Sequence, residues 1–186
     1  IDISSDNTTL VFDNNDQASS TNVTLDFDFK FYQHLYQSFI VNPNGWIGFE
    51  EDNDGWDNVP LPDPVAPRSA ILGFWDDLNP VNNSGSGEGY VRYHGNNQRM
   101  VVWFDNVDHW PTNFEGSNYD FQMVLHSTGN IGLNYRSMEG VSNSATVGIQ
   151  NSNASLATQI SYNSNFAHDE LSALIYRFPT WLSVLP

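Results

Sequence analysis

An acidic loop at residues 50–57 carries the side chains best suited to binding a metal ion. Its sequence is EEDNDGWD, with carboxylates at Glu50, Asp52, Asp54 and Asp57 around a glycine turn. Calcium takes six to eight oxygen ligands, often from flexible acidic loops. The loop does not fit the helix–loop–helix calcium motif, because its twelfth position lacks the required glutamate. We therefore predict calcium as the cofactor of a less regular site, with a solvated acidic loop as the alternative.

Two adjacent carboxylates, Asp76 and Asp77, follow the apolar run ILGFW at residues 71–75. Neighbouring residues on a strand point to opposite faces, so this pair is not expected to flank one glycosidic bond. We predict that one of them caps the following loop or joins the calcium site. The sequence also lacks a nucleophile elbow, and its histidines lack metal-binding spacing. The chain is therefore predicted not to be an enzyme.

Five of the six tryptophans divide between predicted strands and predicted loops, and the sixth, Trp181, lies in the C-terminal segment. Those in strands are expected to fill the core; they are Trp46, Trp75 and Trp103. Those in loops, Trp56 and Trp110, offer large rings that can stack on a sugar or a protein partner. Asp108 and His109 adjoin the second of them, which makes these four residues the predicted ligand-binding set. Local packing is the alternative for both loop tryptophans.

Four N-x-S/T sequons are present, at Asn7, Asn22, Asn82 and Asn153. Such sequons are acceptors for N-linked glycans on exposed loops of secreted proteins. They also arise by chance in a chain rich in Asn, Ser and Thr. Glycosylation at these positions is therefore a prediction that depends on the host.

Strand periodicity dominates the chain and must position these residues. Apolar and polar residues alternate at 23–31, 119–126 and 131–136, and turn signals such as NPNG at 42–45 separate the segments. No convincing helical pattern is present. We predict an all-β protein, an antiparallel β-sandwich of about ten strands, in a single domain over residues 1–186. Further strands are expected at residues 8–12 and 173–186.

Four short motifs occur in a characteristic order: VNPNGWIGF at 41–49, ILGFWDDL at 71–78, GYVRY at 89–93 and VVWFDNV at 101–107. This order resembles the nidogen-like domain family and related β-sandwich modules of secreted bacterial proteins. The resemblance covers residues 31–150. It implies a module that adheres, assembles or decorates and has no catalytic activity.

Composition narrows the choice of partner. The net charge is −16, with only 6 Lys and Arg residues, which excludes nucleic acid because phosphate neutralisation requires basic side chains. No segment approaches the roughly 18 apolar residues of a membrane-spanning helix, and cysteine is absent. The acidic, lysine-poor composition favours an extracellular or cell-surface location. A protein, either a second copy or a neighbouring module, or a neutral glycan is the expected partner.

Apolar residues are concentrated near both ends of the sequence. The predicted assembly residues are Leu10, Phe12, Trp181, Leu182 and Leu185. Contiguous exposed apolar surface commonly marks a contact with another subunit. The alternative is that both segments complete the edges of their own sheets. Three functions remain open: an adhesion or assembly module, a self-assembling filament subunit, and a carbohydrate-binding accessory of a secreted hydrolase.

Overall fold

A computed structural model describes residues 1–10, 12, 20–50, 55–81, 87–111 and 116–177. These residues contain thirteen strands and no α-helix. The strands are β1 (Thr8–Thr9), β2 (Val23–Phe31), β3 (His34–Asn42), β4 (Trp46–Gly48), β5 (Ala70–Trp75), β6 (Leu78–Asn79), β7 (Tyr90–Asn96), β8 (Arg99–His109), β9 (Asn118–His126), β10 (Ile131–Glu139), β11 (Thr146–Gln150), β12 (Ala157–Tyr162) and β13 (Leu171–Ile175). The strand number exceeds ten because a strand as short as β6 leaves no periodic signal in the sequence.

The strands form two antiparallel sheets. The seven-stranded sheet has the order β1-β7-β8-β9-β10-β13, and β6 also pairs with β8. The six-stranded sheet has the order β12-β11-β5-β4-β3-β2. The predicted all-β antiparallel sandwich is therefore confirmed.

The main core lies between the two sheets and is rich in aromatic rings. Phe104 and Phe121 stack with their centroids 4.6 Å apart, and Phe74 packs 4.9 Å from Tyr119. Tyr135 donates a hydrogen bond of 2.7 Å from its buried hydroxyl to the Gly73 carbonyl on the facing sheet. This bond and the interdigitated rings fix the relative position of the two sheets.

The strand tryptophans are buried as predicted, but they do not lie between the sheets. Trp46 and Trp75 pack on the outer face of the six-stranded sheet in a separate cluster. Trp103 packs on the outer face of the other sheet with Ile3. A bulge explains the position of Trp75: the amides of both Gly73 and Phe74 donate to one carbonyl, that of Gly45, which shifts the alternation by one residue.

The N-terminal segment completes its own sheet. Thr8 and Thr9 pair with β7, and the amide of Leu10 donates to the Val91 carbonyl. Leu10 and Phe12 belong to the core between the sheets, with Phe12 fully buried. The assembly role predicted for these two side chains is corrected, because burial in their own core leaves them no surface to offer a neighbour.

The last described strand, Leu171–Ile175, begins before the predicted C-terminal strand and forms an edge of the seven-stranded sheet among the described residues. Leu171, Ala173 and Ile175 pack against the core, and Leu174 is exposed. The predicted assembly residues Trp181, Leu182 and Leu185 lie outside the described residues. No helix in the described part of the chain has the length and apolar character needed to cross a bilayer.

Candidate functional site

A cleft of about 460 Å³ opens at one end of the sandwich, which we call the cleft end. Its lining comes from four parts of the chain: the segment after Gly55, the residues after β5, the end of β8, and the connection from β10 to β11. The lining residues are Trp56, Asp57, Asn58, Asp76, Asp77, His109, Val141 and Ser144. Three carboxylates and a histidine therefore share one opening with an indole ring.

A tight turn fixes the start of the acidic pair. Gly45 has φ of +83°, and a Cβ at this position would lie 1.9 Å from the Phe74 carbonyl oxygen, so glycine is required. The preceding Asn44 is buried and accepts a hydrogen bond of 2.9 Å from the Leu78 amide through its side chain. Its carbonyl accepts from the Asp76 amide. The NPNG turn thus holds the chain on both sides of Asp77.

Asp76 is the most constrained carboxylate of the cleft. It is buried, and its Oδ1 accepts from the Asp77 amide at 3.0 Å. The same oxygen lies 3.3 Å from Nε2 of His109, while Oδ2 accepts from the Ser144 hydroxyl. The Asp76 carboxylate therefore joins three parts of the chain, and a cap on the following loop stays a prediction.

The pKa of His109 is shifted by the groups around it. Burial alone would lower the pKa of His109, but the hydrogen bond to Asp76 and the charge of that carboxylate outweigh it and raise the pKa above its usual value. Its Nδ1 contacts the carbonyl of Trp110. The imidazole is therefore held at both nitrogens.

The order of these groups differs from that of a catalytic triad. In a triad the histidine stands between the serine and the carboxylate, and so removes the serine proton. Here Asp76 stands between Ser144 and His109.

The expectation that Asp76 and Asp77 point to opposite faces is wrong, because β5 ends at Trp75 and both carboxylates line the cleft beyond it.

Both loop tryptophans are exposed, and Trp56 lines the cleft. Trp56 is 46% exposed and Trp110 is 41% exposed. The segment carrying Trp56 is anchored on both sides: Trp75 Nε1 donates to the Gly55 carbonyl at 2.9 Å, and Asn58 donates to Thr146 Oγ1 at 3.0 Å.

The predicted ligand-binding set is divided by the structure. Trp56 and His109 line the cleft, and Trp110 follows His109 directly. Asp108 is only 2% exposed and does not line the cleft, so the prediction that it contacts a ligand is corrected. It lies in β8, where it is paired with Asn79 of β6.

The predicted calcium ligands are also divided. Asp57, Asp76 and Asp77 line the cleft together, whereas Glu50 accepts a hydrogen bond of 2.6 Å from Tyr36 outside it. Asp52 and Asp54 lie outside the described residues. In the described ranges, no group of three His, Asp or Glu side chains is arranged to hold a metal ion. Calcium binding stays a prediction.

Three of the four sequons can be placed. Asn22 and Asn153 are exposed, and Asn153 accepts hydrogen bonds from the amide and hydroxyl of Ser155 in its own sequon. Asn7 is partly buried and donates to the carbonyls of the N-terminal segment. Asn82 lies outside the described residues. Glycosylation of these sites also stays a prediction.

The sequence did not reveal a second cleft, of about 540 Å³, on the outer face of the seven-stranded sheet. Asp120 lies on its floor, accepts from Trp103 Nε1 at 3.0 Å and pairs with Arg136. Burial raises the pKa of Asp120, although the bonds from Trp103 and Arg136 act in the opposite direction. The sequence signal that could have indicated this cleft is the row of polar residues on one face of β9 and β10, which includes Gln122 and Asn134.

Comparison with known proteins identifies a family but no individual relative. The family model described as NIDO related matches residues 2–178. No curated protein and no solved structure matches the sequence at a significant level. The match is wider than the four motifs and includes both sheets and both clefts. It indicates an extracellular module, and the chain belongs to the NIDO-related family.

Proposed function

We propose that this chain is a non-catalytic extracellular module for adhesion or assembly, and that it contacts its partner through the cleft end. The observation that carries this proposal is the exposure of Trp56 and Trp110 beside an anchored acidic cleft. Exposed tryptophans on a rigid support bury a large area at low entropic cost, and tryptophan is enriched at binding hot spots. The preferred partner is a protein, either a second copy or a neighbouring module.

The chemistry of the cleft supports binding rather than turnover. Asp76 lies between the Ser144 hydroxyl, which donates to it, and the imidazole of His109. In the described part of the cleft, this arrangement differs from a serine activated by a histidine base, which supports a non-catalytic role. A panel of glycosides, esters and peptides is expected to give no turnover.

The test is attachment of the labelled chain to cells of the source organism and to their secreted matrix. Trp56→Ala is expected to weaken attachment by about tenfold or more, because a hot-spot ring is lost. Leu174→Ala is the matched control, since this side chain is similarly exposed on β13, away from the cleft. Equal attachment of both variants, or turnover of any substrate on the panel, would contradict the proposal.

A neutral glycan is the second candidate partner. Two exposed indoles beside carboxylate acceptors are the groups that stack on sugar rings and accept hydrogen bonds from their hydroxyls. A glycan array separates this candidate from protein contacts. Binding to one glycan class that is lost in Trp56→Ala would favour a carbohydrate-binding accessory module over an adhesion or assembly module.

A further inference from the structure

The few basic residues of this acidic chain are unevenly distributed. Arg92 and Arg136 form ion pairs with Asp105 and Asp120 on the seven-stranded sheet. The other four basic residues are Lys30, Arg68, Arg99 and Arg177, and within the described ranges none of them lies in an ion pair with a carboxylate.

These four residues lie at the end of the sandwich opposite the cleft. Strand β8 begins at Arg99 and ends at His109 of the cleft. Strand β5 begins two residues after Arg68 and ends just before Asp76. Lys30 and Arg177 line one small groove of about 100 Å³ beside the turn between β9 and β10. We call this the hairpin end.

The hairpin end also exposes apolar side chains. Tyr176 in the groove is 64% exposed, and Leu156 in the turn between β11 and β12 is 60% exposed. Tyr32 bridges the two, since it lines the same groove and its hydroxyl donates to the Leu156 carbonyl at 3.3 Å. Exposed apolar groups bordered by unpaired cations are typical of a protein contact with an acidic surface.

The cleft end of the same chain has the complementary character. It presents Asp57, Asp77 and the exposed Glu139, together with the rings of Trp56 and Trp110. On a chain of net charge −16, this is an acidic surface with exposed apolar groups, as the hairpin end requires of its partner.

We propose that two copies of this chain associate head to tail, with the cleft end of one seated on the hairpin end of the next. This inference rests on the proposed assembly function and names both its partner and its second surface. The two surfaces differ, so the contact does not close into a symmetric pair. A bound pair leaves one free end of each kind, and because the two ends lie on opposite sides of the sandwich, the contact propagates into an open filament.

Charge reversal at each end tests the proposal by sedimentation velocity over a concentration series, at about 50 mM and about 500 mM NaCl. One variant carries Asp57→Lys and Glu139→Lys, and the other carries Lys30→Glu and Arg177→Glu. The wild-type chain is expected to increase in mass with concentration at low salt and to lose this behaviour at high salt. Each variant alone is expected to stay monomeric, because its two ends then no longer carry complementary charge. An equimolar mixture of the two variants is expected to associate.

The matched control for the cleft-end variant is Asp26→Lys with Asp28→Lys. It makes the same change in net charge as Asp57→Lys with Glu139→Lys, but on exposed positions of β2. The control is expected to associate at least as well as the wild type. Melting curves of all variants verify that they remain folded. A monomeric wild-type chain, undiminished association of either end variant, or failure of the mixture to associate would overturn the proposal.

An assay of attachment to cells distinguishes failure of the head-to-tail proposal from failure of the proposed adhesion or assembly function. A monomeric chain whose attachment still depends on Trp56 would refute head-to-tail association and leave the adhesion function in place. A monomeric chain whose attachment is unaffected by Trp56→Ala would refute both.

Discussion

Two buried carboxylates, Asp76 at the cleft end and Asp120 on the outer face, hold similar positions in different clefts. Each accepts two or more hydrogen bonds and lies beside a histidine or arginine side chain. The partner of Asp76 is His109, which titrates near neutral pH, whereas the partner of Asp120 is Arg136, which is always charged. The same acceptor chemistry thus pairs one carboxylate with a partner whose charge changes near neutral pH and the other with a partner whose charge is constant.

The surroundings of the two carboxylates differ as well. Trp103 Nε1 donates directly to Asp120, and its ring is buried against Ile3. At the cleft end, Trp56 leaves nearly half of its surface exposed. The comparison indicates that the outer-face cleft uses its indole for stability, while the cleft end keeps its indoles available for a partner.

Truncation of the two tryptophans should give the largest difference between the clefts. Trp103→Ala is expected to lower the free energy of unfolding by about 3–5 kcal/mol, since a buried ring is removed and Asp120 loses a donor. Trp56→Ala should change it by less than about 0.5 kcal/mol, because the ring is exposed. Urea unfolding at neutral pH measures both. Equal losses would show that the two rings have the same structural role.

Removal of the carboxylates should give the next largest effect. Asp76→Ala leaves the Ser144 hydroxyl and the Asp77 amide without their acceptor, and we expect a loss of about 3 kcal/mol. Asp120→Ala should cost less, about 2 kcal/mol, because Arg136 is mostly exposed and is rehydrated. Asp76→Asn is the control that retains an oxygen acceptor, and a loss as large as that of the alanine variant would assign the effect to charge.

Calcium is expected to bind at the cleft end and not at the outer-face cleft, and so to raise Tm through the cleft end alone. If the acidic loop and the cleft carboxylates bind calcium, the native state gains about 2.7 kcal/mol at roughly 100 times Kd. Asp57→Asn is expected to abolish the rise in Tm, and Asp120→Asn to preserve it. Thermal melts at constant ionic strength, with calcium or a chelator, provide the measurement. An unchanged wild-type Tm would reject the site.

Sequence periodicity predicted the sandwich because alternation determines which residues of a strand share a face. It did not predict that Trp46 and Trp75 would be buried on an outer face, since alternation does not show what covers that face. The segment that includes Ala66 provides the cover. The bulge at Gly73 depends on the Gly45 carbonyl in the turn between β3 and β4, so it has no local sequence signal.

The cleft was predicted in parts for a similar reason. Asp76, His109 and Trp56 were each recognisable from their own neighbours. Ser144 was not, because it reaches Asp76 only through the pairing of β11 with β5. Contacts between segments far apart in sequence depend on strand register, which local patterns do not encode.

The smallest effect, and the most direct test of the comparison, is the pH dependence of stability. The pKa of His109 is raised in the folded state, so its protonation favours folding. This contribution is fully present below the unfolded pKa of about 6.5 and is lost as the pH rises through the higher folded value. Asp120 also has a raised pKa, so its corresponding loss begins near its unfolded value of about 3.8, well below neutrality. Between about pH 6 and pH 8, the expected change in stability comes from His109 at the cleft end. Urea unfolding of the wild type should show stability falling across this range, His109→Gln should remove much of the slope, and Asp120→Asn should leave it intact. The same slope in all three chains would show that other groups titrate and that the two carboxylates do not differ in this way.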